Sequence, residues 1–251
     1  MTYVLSDIHG NIRRFHSIWH QINLQPEDTL YILGDVIDRH PNGIKILREI
    51  MAMPNARMLL GNHEYMMLRA LGEPYDGPDD IEGSDPAELI RLWYHNGGMV
   101  THQSWKHTRL TIRVEILDYL KKLPLNIDIV VGGIPYKLVH AAALERYEDY
   151  RLGKYAQKTR TNFAVWNREA SLDEIIPKEY SLVFGHTPTG HFFPESPMSI
   201  WLGDHRIGID CGSSAPDEQR LAWPNVCGRL GCLRLDDMKE FYSEEPALGL
   251  K

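Results

Sequence analysis

Residues 34–40 read GDVIDRH and follow directly on the apolar run TLYIL at residues 29–33. The run has the length and apolar character of a buried strand. The carboxylates of Asp35 and Asp38 and the guanidinium of Arg39 then stand within five positions of each other, just past its end. A solvated surface loop would also account for these charges. The interpretation therefore depends on whether other strands of the chain end in the same way.

The same pattern occurs on both sides of this strand. A strand at residues 3–5 precedes the turn SDIHGN at residues 6–11, and a strand at residues 57–60 precedes the turn GNHE at residues 61–64. Amphipathic helices follow the turns, the first two over residues 12–22 and 42–51. Strands that alternate with helices predict a parallel sheet with right-handed crossovers. Ligands bind beyond the carboxyl ends of such strands, and all three polar turns fall at that edge.

The second half of the chain is predicted to be rich in strands. Apolar runs predict strands over residues 127–131, 136–139, 180–184, 199–201, 206–209 and 230–235. Two of these strands end in histidine-bearing turns, at His140 and at His186. An acidic Gly/Pro-rich loop at residues 72–86 and a helical elaboration at residues 87–122, with helices over 87–95 and 111–122, separate the halves. We expect a single catalytic α/β domain over residues 1–251, with two packed sheets.

Composition and charge argue against several classes of function. A net charge of −7 and a pI of about 5.9 disfavour binding to nucleic acid, which requires a basic surface. No apolar stretch approaches the length of a membrane span, and no export signal is visible. An odd count of three cysteines fits free thiols in a reducing compartment, and packing explains Cys227 and Cys232 better than a metal pair. We expect a cytoplasmic protein with no nucleic-acid and no membrane partner; its oligomeric state stays open.

Polar residues that can bind metals follow five predicted strands. They are Asp7, His9, Asp35, Asp38, Asn62, His63, His140 and His186. Carboxylate and imidazole ligands suit Mn, Fe or Zn, and the lack of thiolates argues against a structural zinc site. Each residue alone has an ordinary structural explanation, but eight exceed the needs of one ion and suit two. A two-metal centre activates water and clamps both oxygens of an in-line displacement, which is the chemistry of phosphoester hydrolysis.

The motifs of other nucleotide-binding and hydrolytic enzymes do not occur in the chain. It has no phosphate-binding loop, no dinucleotide-binding turn and no nucleophile elbow. The ordered turns DIHG at 7–10, GDVIDR at 34–39, GNHE at 61–64, HA at 140–141 and GH at 185–186 instead resemble the metallophosphoesterase superfamily. The resemblance implies the calcineurin-like fold, an α-β-β-α sandwich in which helices flank two packed mixed sheets. It covers roughly residues 3 to 215.

Further segments are similar to one branch of that superfamily. WNRE at 166–169, NGG at 96–98, and FGHTP at 184–188 before Ile209 and Asp210 look like bacterial and phage-type phosphoprotein phosphatases. This resemblance implies a serine/threonine protein phosphatase, whose substrate is a phosphoprotein or phosphopeptide. It also implies two divalent cations, with manganese favoured and iron or zinc as alternatives, and direct attack by a hydroxide that the cations hold.

The resemblance assigns a role to each residue that matches the family pattern. The predicted metal ligands are Asp7, His9, Asp35, Asn62, His140 and His186, with Asp35 as the bridge. His63 is the predicted general acid, which Asp38 orients. Arg39 and Arg168 are predicted to bind phosphate, with Asn62 as a further substrate contact. A guanidinium suits this task because it donates two parallel hydrogen bonds to a phosphate.

The chain departs from the family pattern at three places, at Ser6, at His40 and at Ala141–Ala142, and retains every ligand type. We expect His40 to be an exposed turn residue. A symmetrical dinucleoside tetraphosphate hydrolase shares the fold and is the main alternative, although that group typically has Ala at the position of Asp38 and Asp at that of Glu64. A metal-binding scaffold without catalysis is a remote alternative, because the acid histidine and all the ligands are present.

Overall fold

The first sheet begins with the alternating strands and helices of the amino-terminal region. A computed structural model describes residues 1–75, 84–150, 159–168, 178–192, 198–215 and 228–244. Its first elements are β1 (Thr2–Leu5), α1 (Ile12–Ile22), β2 (Thr29–Ile32), α2 (Gly43–Met51), β3 (Ala56–Met58) and α3 (Asn62–Ala70). The three strands pair in parallel, in the order β1-β2-β3. The predicted parallel sheet with intervening helices is confirmed.

Three helices follow, α4 (Pro86–His95), α5 (Met99–Lys106) and α6 (Leu110–Leu120). The first and third match the predicted helices, but α5 was not predicted. Its sequence, MVTHQSWK, lacks a clear apolar stripe, and its buried residues are Thr101 and Trp105. Of the acidic loop, residues 76–83 lie outside the described part of the chain. None of the described helices has the length and apolar character to cross a membrane.

The second sheet contains β4 (Asn126–Val131), β5 (Ile134–Val139), β6 (Ser181–Phe184), β7 (Trp201–Gly203) and β8 (Arg206–Gly208), in the order β4-β5-β6-β8-β7. Strands β5, β6 and β8 are parallel, whereas both edge strands are antiparallel. Strand β7 lies two residues beyond its predicted position. Two short helices before β6, α7 (Tyr147–Tyr150) and α8 (Arg160–Trp166), were not predicted.

The last strands return to the first sheet and make it mixed. Strand β9 (Gly231–Arg234) pairs antiparallel with β1, and β10 (Lys239–Tyr242), which was not predicted, pairs with β9. Side chains between the sheets form one apolar layer, which includes Val4, Leu33, Leu138 and Val183. A second layer packs the helices against the other face of the first sheet. The predicted fold, α/β with two packed mixed sheets flanked by helices, is confirmed; the single-domain boundary of 1–251 stays a prediction.

The packing brings five turns together at one edge. The turns after β1 and β2 bond to each other, since His9 N donates to Asp35 O (2.9 Å) and Gly10 N to Val36 O (2.7 Å). In the second sheet, Gly185 N donates to His140 O (2.9 Å) and so joins the two histidine-bearing turns. Polar side chains from both sheets therefore converge on one place.

Candidate metal centre and phosphate site

The backbone of this region is held in an uncommon conformation. Among the described residues other than glycine, nine have a positive φ, and six of them are predicted site residues: Asp7, His9, Asp35, Asp38, Arg39 and His186. Their φ angles lie between 51° and 71°. Left-handed non-glycine residues are sterically costly and cluster at functional sites, where the surrounding structure holds them in place. The left-handed backbone of these turns therefore sets the direction of the six side chains.

Asp35 lies at the centre of the cluster. Its Oδ1 is 3.5 Å from His140 Nε2, and its Oδ2 is 3.8 Å from His9 Nε2. The Asp35 carboxylate belongs to two groups of possible metal ligands. One group also contains His140 and His186, and the other contains His9 and His63. Within each group the ligand atoms lie within 4.8 Å of one another. A carboxylate that belongs to both groups can bridge two cations.

The imidazoles of His9 and His140 are oriented by backbone carbonyls. His9 Nδ1 lies 3.2 Å from Ile37 O, and His140 Nδ1 lies 2.6 Å from Leu33 O. Because a carbonyl oxygen only accepts, Nδ1 carries the proton in both rings. Burial lowers the pKa of both histidines, so both rings are neutral near pH 7 and each Nε2 presents a lone pair.

These lone pairs point at other acceptors. His9 Nε2 faces the carboxylates of Asp7 (3.7 Å) and Asp35, and His140 Nε2 lies 2.9 Å from Asn62 Oδ1. Burial and the Asp7 charge raise the pKa of Asp35, because they disfavour its ionised form. Imidazole lone pairs that point at carboxylate and amide oxygens repel them. A cation bound between these atoms would turn the repulsion into attraction. The donor set therefore fits divalent metal ions.

His186 supports the same conclusion from the second sheet. Its Nε2 is buried and has no hydrogen-bond partner among the described residues. Burial, His140 and Arg168 lower the pKa of its imidazole, which leaves a neutral ring with an available lone pair. Its backbone N–H donates to Asp7 Oδ2 (3.0 Å), which also accepts from Ser6 Oγ (2.5 Å). The Asp7 carboxylate is thereby oriented with its other oxygen toward His9.

His63 and Asp38 form a buried pair beside the cluster. His63 Nδ1 lies 2.7 Å from Asp38 Oδ2, which also accepts from Trp93 Nε1 (2.9 Å). A guanidinium only donates, and Arg39 approaches His63 Nε2 to 3.3 Å, so Nδ1 carries the proton that bonds Asp38. His63 Nε2 lies 3.9 Å from Asp35 Oδ2 and faces the cluster. The assignment of His63 to proton donation, not to metal binding, stays a prediction.

The two predicted phosphate-binding arginines lie at the rim. Arg39 donates to Ser214 Oγ (2.7 Å), and the exposed Arg168 approaches His186 O to 3.5 Å. Of the WNRE motif, Glu169 lies outside the described residues. His40, expected to be exposed, is half-buried beside the turn. Other histidines lie away from the cluster; for example, His102 of α5 bonds the Tyr94 hydroxyl.

Several residues at this edge were not predicted to belong to the site. The buried carboxylate of Glu64 accepts from the backbone N–H groups of Asp35 (2.9 Å), Val36 (2.9 Å), Ile37 (3.2 Å) and Gly61 (3.2 Å). As the third residue of α3, Glu64 caps the backbone N–H of the N-cap residue Gly61, which is the glutamate half of a capping box. Trp93 and Thr101 support Asp38 from the helical elaboration and have no local signal. Cys211 and Cys232 are buried, and Cys227 lies outside the described residues.

Comparisons with known proteins agree with this geometry. The family model of the calcineurin-like phosphoesterases matches residues 2–211. The symmetrical bis(5'-nucleosyl)-tetraphosphatase of Yersinia pseudotuberculosis serotype O:3 (strain YPIII) is 38% identical, over 81% of this chain and 86% of the relative. That of Yersinia pestis is 26% identical with the same coverage. The structure of a metallophosphoesterase from Sphaerobacter thermophilus has 15% identity and a TM-score of 0.52, and covers 96% of this chain and 86% of that one.

These relatives correct one prediction. The assignment to serine/threonine protein phosphatases is wrong, because the relatives that match over most of their length are named for another reaction. The branch was chosen on the WNRE, NGG and FGHTP segments, and Asp38 and Glu64 were the two residues used to set the tetraphosphate hydrolase aside. Asp38 contacts the His63 imidazole, and Glu64 contacts the backbone of the loop at residues 35–37. Both residues bond to neighbouring groups of the protein and therefore do not report which group is attached to the phosphate.

Proposed function

The chain belongs to the calcineurin-like phosphoesterase family, and we propose that it is a symmetrical dinucleoside tetraphosphate hydrolase. The observation that carries this proposal is the 38% identity to a tetraphosphatase of that name over 86% of its length. In this reaction water adds to one of the two central phosphorus atoms, the central P–O–P bond breaks, and two nucleoside diphosphates leave. The nucleotide replaces the phosphoprotein substrate that the protein-phosphatase assignment implied.

The proposed metal ligands are the converging residues of both sheets. Asp35 would bridge two divalent cations, and the remaining ligands would be Asp7, His9, Asn62, His140 and His186. Manganese is the cation we propose, with iron or zinc as alternatives, because the set mixes carboxylate and imidazole. When bound, the cations would neutralise phosphate charge and lower the pKa of a water molecule.

The chain's own residues then act on the phosphates. Arg39 approaches His63 and Arg168 approaches His186, so both guanidinium groups could donate to non-bridging phosphate oxygens of a substrate at the cluster. Asn62 is a further proposed substrate contact. These donors would hold the central phosphates in line for displacement. The tetraphosphate carries several negative charges, so the two arginines matter more for it than for a monoester.

His63 would deliver the proton to the oxygen that leaves. To act as the acid, the ring would be an imidazolium with a proton on each nitrogen. Asp38 would accept from Nδ1–H, and Nε2–H, which faces the cluster, would give its proton to the departing nucleoside diphosphate and leave the neutral ring described above. A diphosphate is a better leaving group than an alkoxide, so this proton contributes less here than in the hydrolysis of an alkyl phosphate. Because the His63–Asp38 pair is buried, the imidazole would stay in place while the P–O–P bond of the substrate breaks.

The test is product analysis on manganese-loaded enzyme. Diadenosine tetraphosphate should yield ADP as its only nucleotide product, detected by ion-exchange chromatography, whereas asymmetrical cleavage would yield ATP and AMP. Phosphoserine peptides and p-nitrophenyl phosphate are assayed in parallel, and Asp35→Asn serves as the inactive control. A higher kcat/KM for the phosphopeptides than for diadenosine tetraphosphate, or a yield of ATP and AMP, would overturn the proposal.

A further inference from the structure

A second basic region lies outside the metal centre, between α2 and the connection from α5 to α6. It is a cavity of about 530 Å³. Lys45 and Arg48 line it from α2, and His107 and Arg109 line it from the opposite side. Ile44 and Ile112 add an apolar wall, and no aspartate or glutamate of the described residues lines the cavity. This composition is unusual for a chain whose net charge is −7.

The cations of this cavity are not neutralised by the protein. In the described parts of the chain, Lys45, Arg48 and Arg109 make no ion pair and no side-chain hydrogen bond. Other lysines behave differently, for example Lys121, whose Nζ lies 2.8 Å from Glu73. Three cations held around one cavity repel each other, and a bound anion would remove that repulsion.

Two helix ends reinforce the positive potential. The amino ends of α2 and α6 both border the cavity, and neither has a side-chain cap. Their first N–H groups carry the partial positive charge of the helix dipole and are free of competing side-chain acceptors. The cavity therefore combines backbone donors, guanidinium groups and an ammonium group, which is the set that recognises phosphate.

The cavity is connected to the metal centre through the turn at residues 34–40. Pro41 lines the cavity and follows Arg39 by two residues, a separation of at most about 7 Å between Cα atoms. Ser104 Oγ donates to Pro41 O (3.2 Å) and fixes this junction against α5. The cavity therefore lies beside the turn that carries Asp35 and Arg39.

We propose that the cavity is a nucleotide site that binds phosphate through Lys45, Arg48 and Arg109 and places the rest of the nucleotide against Ile44 and Ile112. The nucleotide has two possible sources: the distal half of a dinucleoside tetraphosphate, which rests on the proposed function, or a free nucleotide. Both sources present the same chemistry to the cavity. His107 adds a further donor to the cavity lining.

The test is ADP binding to the manganese-loaded enzyme by isothermal titration calorimetry. Wild type should bind two ADP per chain, one at the metal centre and one in the cavity. Lys45→Ala/Arg109→Ala should bind one, or bind the second at least about tenfold more weakly, since a charged hydrogen bond is lost at each position. Lys178→Ala/Lys239→Ala is the matched control; both lysines are exposed and lie at the opposite edge of the sheets.

Steady-state kinetics then separate the two sources. If the cavity holds the distal half of the substrate, the double variant should lower kcat/KM for diadenosine tetraphosphate, relative to p-nitrophenyl phosphate, by about tenfold or more. If it holds a free nucleotide, the same variant should instead relieve inhibition by ADP. Equal ADP stoichiometry and affinity in wild type and the double variant would overturn the cavity site. Failure to cleave diadenosine tetraphosphate would overturn only the proposed function, because the ADP titration does not depend on it.

Discussion

The two sheets contribute to the candidate site in different ways. Each of the first three strands of the first sheet ends in a turn that leads directly into a helix, and these turns carry most of the polar residues of the site. The second sheet contributes one histidine after β5 and one after β6, and neither turn leads into a long helix. The first sheet therefore supplies a local scaffold of turn and helix, and the second supplies single ligands.

The second-sheet histidines depend on the first sheet for their orientation. His140 Nδ1 bonds Leu33 O, and the backbone N–H of His186 donates to Asp7 Oδ2, so each contact crosses between the sheets. In the other direction, the turn at residues 35–37 is held within the first sheet by Glu64. A change in the first sheet should therefore disturb the whole centre, whereas a change in the second should remove one ligand.

The largest expected effect is a difference in metal content and kcat/KM between Asp35→Asn and His186→Asn. Asp35→Asn should remove both metals and lower kcat/KM by more than the ~10²–10⁴-fold typical of losing a proton donor, because it removes the shared carboxylate. His186→Asn should retain one metal per chain. Elemental analysis after gel filtration measures both contents. Equal metal loss in the two variants would contradict the difference between the sheets.

The next effect concerns His63, which lies in α3 directly after the third strand of the first sheet and is not a predicted ligand. His63→Asn should lower kcat by about 10²–10⁴-fold on phenyl phosphate, whose leaving group is strongly basic. On p-nitrophenyl phosphate, whose phenolate leaves without a proton, the loss should be much smaller. Metal content should match wild type. If His63→Asn loses a metal, or slows both substrates equally, the residue is a ligand or a structural group.

Glu64 tests how strongly the first-sheet scaffold is held. Glu64→Ala leaves four buried backbone N–H groups without their acceptor, and each unsatisfied group costs about 1–3 kcal/mol. We expect the free energy of unfolding to fall by at least about 3 kcal/mol, as measured by urea titration. Glu115→Ala, on the exposed face of α6, is the control and should change stability little. Similar stabilities for both variants would mean that the loop holds its shape without Glu64.

Trp93 extends the scaffold into the helical elaboration. Trp93→Phe removes the indole N–H that bonds Asp38, and one hydrogen bond is worth about 0.5–1.5 kcal/mol, so kcat on phenyl phosphate should fall by about 2- to 10-fold. The loss should again be smaller on p-nitrophenyl phosphate, which a purely structural effect would not reproduce. Trp105→Phe alters a buried tryptophan of α5 that stacks with Arg113 and is the control.

The difference between the sheets also explains what could be predicted from sequence. In the first sheet an apolar run, an acidic turn and an amphipathic helix are consecutive, so all the evidence for a turn lies within a few residues. The strand predicted at residues 29–33 is observed as Thr29–Ile32. The same local patterns predicted the four histidines that lie around Asp35, which are His9, His63, His140 and His186. The way these histidines converge depends on the packing of the two sheets, which no local pattern describes.

Contacts between distant segments carry no such local signal. Trp93 and Asp38 are 55 positions apart, and neither residue alone suggests the other. Helix α5 lacks a regular apolar stripe, and β10 forms on the edge of a sheet that begins more than 200 residues earlier. The substrate was also mispredicted. Asp38 and Glu64, two of the residues used to choose it, bond to His63 and to the loop at residues 35–37, so they carry no information about the group attached to the phosphate.

The smallest expected effect lies on the second sheet, on Lys137 of β5. Its Nζ is 2.7 Å from Asp128 and 3.2 Å from Glu145. Burial lowers the pKa of Lys137, but these two carboxylates outweigh burial, so the net shift is upward. Because Asp128 is largely exposed, Lys137→Met should lower the free energy of unfolding by at most about 1 kcal/mol and leave kcat/KM unchanged.

The pH dependence of that difference has a definite sign. A raised pKa in the folded state means that the ion pairs contribute fully below the ordinary pKa of lysine, and that their contribution is lost as the pH rises through the folded value. The gap in stability between wild type and Lys137→Met should thus be constant near neutral pH and close at strongly alkaline pH, in urea titrations at successive pH values. A gap that widens with pH would show that burial dominates at this lysine. A loss of activity in Lys137→Met at neutral pH would show that this part of the second sheet does more than carry single ligands.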